Sequence, residues 1–147
     1  MTVSRHFARI ILMQSIFEWE FHGKKLGLNV YFDRNALECN LEKESSDFGD
    51  QLIRVITDHL EEIRGFIQKY APDWPVDKIS SVDRAILYIG ISEMVFAHFK
   101  DVPAIVSIDE AIEMAKSYGS DNSSKFINGV LSNIYENEME EGKKVKG

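Results

Sequence analysis

The chain is poor in cysteine and lacks any long apolar run, and both shortages limit what it can be. Its 147 residues include one cysteine, Cys39, so no disulfide can form within the chain. The N-terminus has no apolar signal core followed by a small-residue cleavage site. Asp83, Arg84 and Glu93 interrupt the most hydrophobic stretch, which leaves no run of about 18 apolar residues that could span a membrane. These absences predict a cytoplasmic protein without a membrane partner.

The chain also has fewer positively than negatively charged residues. The chain has 17 lysines and arginines against 24 aspartates and glutamates, a net charge of -7 at pH 7. Such a protein does not coat nucleic acid by bulk charge, so any contact with RNA must come from a local patch. The length and the 44% of hydrophobic residues suit one domain with a proper core.

Sequence motifs of catalysis are missing as well. The chain contains no G-x-x-x-x-G-K phosphate loop, no G-x-G-x-x-G, no G-x-S-x-G and no H-E-x-x-H. Its four histidines show no E-x-x-H pairing of the kind that a di-iron helical bundle needs. The sequence therefore predicts that the protein is not an enzyme and that it uses no metal and no cofactor.

Helical periodicity runs through most of the chain. Ser107 and Glu110 have the spacing of a capping box, which predicts a helix start, and Gly119 predicts its end in a left-handed conformation. A second helix is predicted to open at residues 121–123. Its apolar stripe predicts a buried face made of Ile127, Val130, Leu131 and Ile134.

The middle of the chain predicts two more core helices. Residues 47–70 form one amphipathic pattern, after which Trp74, between two prolines, is expected to plug a helix end. Ser80 caps a central helix, in which Glu93 must be hydrogen-bonded or paired if it is buried. Residues 23–47 are expected to be a variable connector with a short helix near 34–41, and residues 136–147 a charged tail that frays.

The first predicted helix, residues 5–21, is apolar on two sides. One face suits an internal core and holds Ala8, Leu12, Ser15, Ile16 and Trp19. The opposite face also has heptad-like spacing and holds Phe7, Ile10, Gln14, Phe17 and Phe21. This second face is either buried inside the same bundle or forms a surface for a partner, including a second copy of the chain.

The C-terminal half of the chain contains two motifs in a fixed order. SIDEAIEMAKSYGSDNSSKFINGVL, residues 107–131, includes A-K-x-aromatic-G followed by K-F-aliphatic-N-G-V-L. In these motifs and their order it resembles the C-terminal signature of the NusB family of transcription antitermination factors. The resemblance extends through SSVDRAILYIGISEM and DVPAIV, and back to RHFARIILMQSIFEW in the first helix, whereas residues 23–50 match poorly. It implies an all-α, NusB-like fold of six or seven helices in two packed sub-bundles, with residues 1–147 as a single domain.

The resemblance also implies a function. NusB-like proteins bind the boxA segment of nascent single-stranded RNA, usually with NusE, which doubles as a ribosomal protein of the small subunit. The expected function is therefore a non-catalytic RNA-binding factor of the transcription elongation complex that supports ribosomal RNA transcription. The alternative is a helical homo-oligomeric interaction module with little RNA binding. The N-terminal domain of an RNA cytosine methyltransferase also resembles this fold, but the chain ends before a catalytic domain could begin.

The resemblance implies two RNA-contacting regions, the start of the first helix and the turn before K-F-aliphatic-N-G. The matching residues are Arg5, Arg9, Phe17, Asp83, Asn122, Lys125 and Phe126. His6 and Phe7 stand where the family often has further arginines, so the basic patch is thinner here. Rings that stack bases and cations that hold phosphates are the parts that single-stranded RNA requires. The second face of the first helix is the expected partner or dimer surface.

Overall fold

The computed structural model describes residues 3–97, 99 and 101–146, and it shows an all-α fold. The helices in these ranges are α1 (Val3–Phe21), α2 (Leu28–Glu38), α3 (Lys43–Asp58), α4 (Leu60–Tyr70), α5 (Ser81–Ile91), α6 (Ala104–Tyr118), α7 (Ser123–Glu138) and α8 (Glu140–Lys146). A 3-10 turn (Val76–Lys78) precedes α5, and a π-helical turn (Ser92–Ala97) follows it. The predicted fold class is confirmed, with one α-helix more than expected in the described ranges.

Helix α5 joins two groups of helices. Helix α1 packs against α2 and α3 to form the first group, while α6 packs against α7 in the second. Helix α5 contacts α1 on one side and α4, α6 and α7 on the other. Because it is covered from both sides, nearly all of its residues are buried, as its almost continuous apolar sequence predicts.

The two faces of α1 differ in their solvent exposure. Ala8, Leu12, Ser15 and Ile16 are fully buried, which confirms the predicted inner face. On the other face Phe7 is 53%, Phe17 42% and Phe21 75% exposed. The interpretation that this second face is buried inside the same bundle is therefore wrong.

The stretch predicted to be a connector contains α2, and α2 is part of the core. Leu28 and Phe32 are fully buried in the space between α1 and α3. Gly49 in α3 makes this packing possible, because the Phe32 ring occupies the place that a Cβ atom at position 49 would take. The spacing of the apolar residues marked only a shorter helix, farther along the chain.

The single helix predicted over residues 47–70 is two helices. His59, with φ -119° and ψ 21°, interrupts the helix, so α3 ends at Asp58 and α4 begins at Leu60. The predicted stripe continues across the break, since Leu52, Ile56, Ile63 and Ile67 are all fully buried. No glycine or proline marks the break, and an apolar pattern with the same spacing on both sides conceals it.

The start of α5 and the ends of α6 illustrate which helix boundaries local sequence can predict. The Asp83 N–H donates to Ser80 Oγ at 3.2 Å, which confirms the predicted cap. By contrast, α6 begins three residues before Ser107, directly after Pro103, so that capping box does not form. Gly119 has φ -89° and ψ -171°, which is extended backbone and not the left-handed conformation predicted.

Two expectations about the second half of the chain also change. Trp74 is 62% exposed and does not plug a helix end. The charged tail is held at its beginning, because the Glu138 carboxylate accepts hydrogen bonds from Lys69 Nζ at 2.7 Å and from the Tyr70 hydroxyl. Helix α7 therefore runs past the predicted start of the tail, and α8 follows it.

Replacing Gly49 with alanine tests the contact between α2 and α3. The new methyl group would overlap the buried Phe32 ring, so we expect the free energy of unfolding to fall by about 1–3 kcal/mol. Gly65→Ala is the matched control, since no atom lies within 4 Å of that Cβ position in α4, and it should be stabilising by up to about 1 kcal/mol. Urea unfolding followed by far-UV circular dichroism measures both. Equal effects at the two positions would contradict the packing described.

Candidate nucleic-acid interface

Two shallow grooves lie side by side at the first turn of α5. The first, the α1 groove, has a volume of about 440 Å³ and is lined by Ile10, Met13, Gln14, Phe17, Val82 and Tyr118. The second, the α7 groove, has a volume of about 280 Å³ and is lined by Trp74, Lys78, Ile79, Ser80, Asp83, Ser120, Asn122, Ser123 and Phe126. Val82 and Asp83 are consecutive residues of α5, so the two grooves flank the same helical turn.

Four of the seven residues expected to contact RNA line these two grooves. Phe17 lies in the α1 groove, and Asp83, Asn122 and Phe126 lie in the α7 groove. Asn122 is exposed just before α7 and makes no side-chain capping hydrogen bond, so its amide is available. Lys125 is exposed on the first turn of α7, next to the half-buried Phe126. Residues far apart in the chain therefore meet on one surface.

The carboxylate of Asp83 has an unusual environment. The residue is buried, and among the described residues its Oδ1 atom has no hydrogen-bond partner. A buried acceptor without a partner costs about 1–3 kcal/mol, which an N–H or O–H group placed in the α7 groove could recover. The residue can thus accept a hydrogen bond from a bound molecule.

Several groove residues were not expected from the sequence. Trp74 and Lys78 line the α7 groove, where they add a ring and a cation to the surface formed by Phe126. Tyr118 lines the α1 groove and is the aromatic residue of the A-K-x-aromatic-G motif, so that motif could have revealed it. Trp74 had a weaker signal, since a tryptophan between two prolines suits an exposed turn as well as a core.

The first turn of α5, which separates the grooves, is held by a polar network. Arg84 Nε donates to Glu20 Oε1 at 2.8 Å, and its Nη1 donates to the Ile79 carbonyl at 2.7 Å. The Tyr88 hydroxyl donates to Glu20 Oε2 at 3.1 Å and accepts from Arg64 at 2.7 Å. Burial and the negative charge of Glu20 raise the pKa of Tyr88 to about 12. The network ties α1 and α4 to α5 and so fixes the orientation of the groove walls.

Arg5 lies outside the grooves. It is about 18 Å from Phe17 along α1, given a rise of 1.5 Å per residue. Its Nη1 donates to Asp101 Oδ2 at 2.8 Å, and its Nε is 3.7 Å from Glu44 Oε1. This hydrogen bond lowers the pKa of Asp101. Arg5 keeps some exposure, so a phosphate would have to compete with carboxylates of the same chain.

Arg9 is in the core and not at the surface where the sequence placed it. The side chain is fully buried, and it donates from Nε and Nη2 to the two carboxylate oxygens of Glu93, both at 2.6 Å. Ser107 Oγ also donates to Glu93 Oε1, at 3.2 Å. A guanidinium without exposed surface cannot reach a phosphate, so Arg9 is withdrawn from the candidate interface. The expectation that a buried Glu93 must be paired is confirmed.

Neither a cluster of metal-ligating side chains nor a membrane-spanning helix occurs in the part of the chain that the structure describes. Among residues 3–97, 99 and 101–146, no group of three or more histidines, cysteines, aspartates and glutamates could hold a metal ion. Within the same ranges no helix is both long enough and apolar enough to cross a membrane.

Comparisons with known proteins point to one family. The model of the NusB family matches residues 6–136. The transcription antitermination protein NusB of Bacillus subtilis is 44% identical over 100 residues, which cover 67% of this chain and 75% of that protein. The protein of the same name from Dehalococcoides mccartyi is 37% identical over 134 residues, which cover 91% of each chain.

Solved structures agree with the sequence matches. The structure of T. maritima NusB superposes with a TM-score of 0.86 at 32% identity and covers 99% of both chains. A chain in the crystal structure of antitermination factors NusB and NusE in complex with dsRNA superposes with a TM-score of 0.80 at 26% identity. That match covers 92% of this chain and 98% of the other.

Changing Glu93 to glutamine tests the position of Arg9. The substitution leaves the buried guanidinium without a counter-charge, and we expect the free energy of unfolding to fall by about 3–5 kcal/mol. The double variant Arg9→Met, Glu93→Met removes both charges and should cost clearly less than the sum of the single changes Arg9→Met and Glu93→Met, which with the wild type complete a double-mutant cycle. Denaturant unfolding of the four proteins measures this coupling. A loss below about 1 kcal/mol for Glu93→Gln would mean that Arg9 reaches solvent.

Proposed function

We propose a function from one premise, which is that this chain belongs to the NusB family. The protein acts as a non-catalytic transcription antitermination factor that binds boxA-type single-stranded RNA together with a NusE-like ribosomal protein. It works within the transcription elongation complex in the cytoplasm and supports ribosomal RNA transcription. The observation that carries the proposal is the meeting of Phe17, Asp83, Asn122 and Phe126 in adjoining grooves. The related structure of NusB and NusE in complex with dsRNA supports a NusE-like partner and an RNA ligand.

The groove chemistry suits unpaired bases. Phe17 and Phe126 provide ring faces for stacking, and the exposed Trp74 provides another. Asp83 Oδ1 accepts a hydrogen bond from a base N–H, and the Asn122 amide can donate and accept at a base edge. Sequence-specific proteins read single-stranded RNA with these groups, since its base edges are not occupied by a second strand.

Electrostatic attraction contributes little to this binding. With Arg9 buried, the cations that a phosphate could reach are Lys78 and Lys125 at the α7 groove and, farther along α1, Arg5, which is partly engaged with Asp101. About three phosphate contacts on a single strand give a log–log salt slope near -2. The protein therefore binds RNA weakly by itself, and a NusE-like partner that adds its own contacts strengthens the complex.

Replacing Phe126 with alanine tests the stacking surface. If a base stacks on this ring, affinity for labelled boxA-type RNA should fall by about 1–3 kcal/mol, measured by fluorescence anisotropy with and without the NusE-like partner. Phe66→Ala is the matched control, because Phe66 is also a partly buried phenylalanine but lies on α4, outside both grooves. Equal affinities of the wild type and a folded Phe126→Ala variant would reject the α7 groove as a base-stacking site.

The exposed face of α1 favours a second function, self-association. Phe7, Ile10 and Gln14 line a further groove of about 470 Å³ next to the α1 groove, and Tyr118 lines both. A continuous apolar surface of this kind is unusual on a soluble monomer and suits a symmetric dimer. Since Phe17 belongs to this face and to the RNA interface, a homodimer would compete with RNA.

Sedimentation of a Phe7→Glu variant tests the dimer. Phe7 is exposed on α1 but lies outside the α1 and α7 grooves, so the substitution should convert a dimer at tens of micromolar into a monomer without removing an RNA-stacking ring. Leu37→Glu, at a site 79% exposed on α2, is the control for added negative charge. A wild type that sediments as a monomer at this concentration would dismiss the dimer.

A further inference from the structure

A series of aromatic rings extends from Phe17 around the end of α1 into α2. The Phe17 and Phe21 rings are nearly parallel, with centroids 6.2 Å apart and an interplanar angle of 13°. The Phe21 ring meets His22 edge-on at 5.3 Å, and His22 is parallel to Tyr31 at 5.8 Å and 4°. The RNA interface at Phe17 is therefore continuous with a second cluster of rings that the α7 groove does not include.

This cluster opens to solvent in a groove of its own. The groove has a volume of about 680 Å³ and is lined by Phe21, His22, Gly23, Lys25, Leu26 and Tyr31. Phe21 is among the most exposed large apolar residues described. A base needs such an accessible ring face in order to stack.

The backbone turn that carries these side chains is well defined. Gly23 and Lys24 are both in the left-handed region, with φ of 70° and 58°, and the Lys24 N–H donates to the Trp19 carbonyl at 2.9 Å. Lys24 Nζ lies 5.2 Å from the centroid of the Trp19 ring. The rings are thus presented by an ordered turn, which reduces the entropy lost on binding.

The charges around this groove favour an anion. The two acidic residues at the end of α1 already have hydrogen-bond partners within the chain. The Glu18 carboxylate accepts hydrogen bonds from Asn35 at 2.7 Å and from Arg34. The Glu20 carboxylate accepts a hydrogen bond from Arg84 at 2.8 Å. Burial would raise the pKa of Glu18, but the hydrogen bonds from Asn35 and Arg34 outweigh it and lower the pKa. Lys25 is exposed at the groove and has no ion-pair partner among the described residues.

We propose that this groove is a second binding site for single-stranded RNA, which holds nucleotides adjacent to those bound at Phe17. Bases stack on Phe21 and His22, and Lys25 holds a phosphate. The proposal rests on the proposed function, because it continues the same RNA strand along α1. A protein ligand fits less well, since Leu26 is the one aliphatic side chain in the lining and the exposed apolar side chains of α2, Val30 and Leu37, do not line this groove.

The experiment compares RNAs of different length. Fluorescence anisotropy measures the affinity of the full chain, with the NusE-like partner present, for a labelled boxA-type RNA and for the same RNA with about six uridines added at either end. We expect one of the extended RNAs to bind at least about fivefold more tightly than the short RNA. Phe21→Ala should bring this ratio close to one. Lys25→Gln should reduce the salt slope of the extended RNA by about 0.7.

Leu37→Ala serves as the matched control, because it also removes an exposed apolar side chain but lies on α2 outside the groove. Ratios near one for both extended RNAs would overturn the proposal, even if the short RNA binds and the proposed function stands. If Phe21→Ala instead weakens the NusE-like partner while the RNA ratio stays unchanged, the groove is a protein surface and the proposal is wrong.

A separate titration decides the case in which the short RNA does not bind and the proposed function fails. Labelled oligouridine of about twelve nucleotides should bind the wild type, and Phe21→Ala should weaken it at least about fivefold. Equal binding of oligouridine by the two proteins, or no binding to either, would reject the second site as well.

Discussion

The buried pair of Arg9 and Glu93 sets how α1 lies on the rest of the molecule. Each carboxylate oxygen accepts one guanidinium hydrogen bond at 2.6 Å, and both side chains are almost completely removed from water. Such a pair adds little net stability compared with a well-packed apolar core, but separating its members is costly. Helix α1 can therefore slide or rotate against the π-helical turn only by exposing a charge to the core, and its outer face is fixed as a consequence.

The position of Arg9 also explains why the proposed RNA interface depends on rings more than on charge. A cation that the resemblance assigned to phosphate is used to join two helices, and Arg5 and His6 face Asp101 and Glu110 of the same chain. The two grooves are lined by four aromatic rings, those of Phe17, Trp74, Tyr118 and Phe126, but by one cation, Lys78. This balance agrees with a net charge of -7, and in the function we propose stacking is the main source of affinity.

Local patterns predicted the buried faces of several helices, but not every helix boundary and not the contacts that join the helices. The Ser80 cap and the buried stripes of α1, α3 and α7 depend on neighbours within a few residues, so the sequence shows them. The hydrogen bond from Ser107 to Glu93 depends on packing between separate segments, and no glycine or proline marks the break at His59. Arg9 illustrates the difference, because its sequence neighbours suit a solvated arginine as well as a buried one. Some residues that line the grooves were predicted and others were not, since the family motif includes Phe126 but does not indicate Trp74.

The separation of Arg9 and Glu93 by 84 positions has a consequence for the order of events during synthesis of the chain. Helices α1 to α3 can come together once residue 58 is available, but Arg9 then has no carboxylate opposite it. At roughly 5–20 residues per second, the ribosome needs a few more seconds to make Glu93. Burying the Arg9 charge beside Phe48 before Glu93 has been made would be costly. We therefore expect close packing of α1 on α3 to follow the synthesis of the first residues of the π-helical turn.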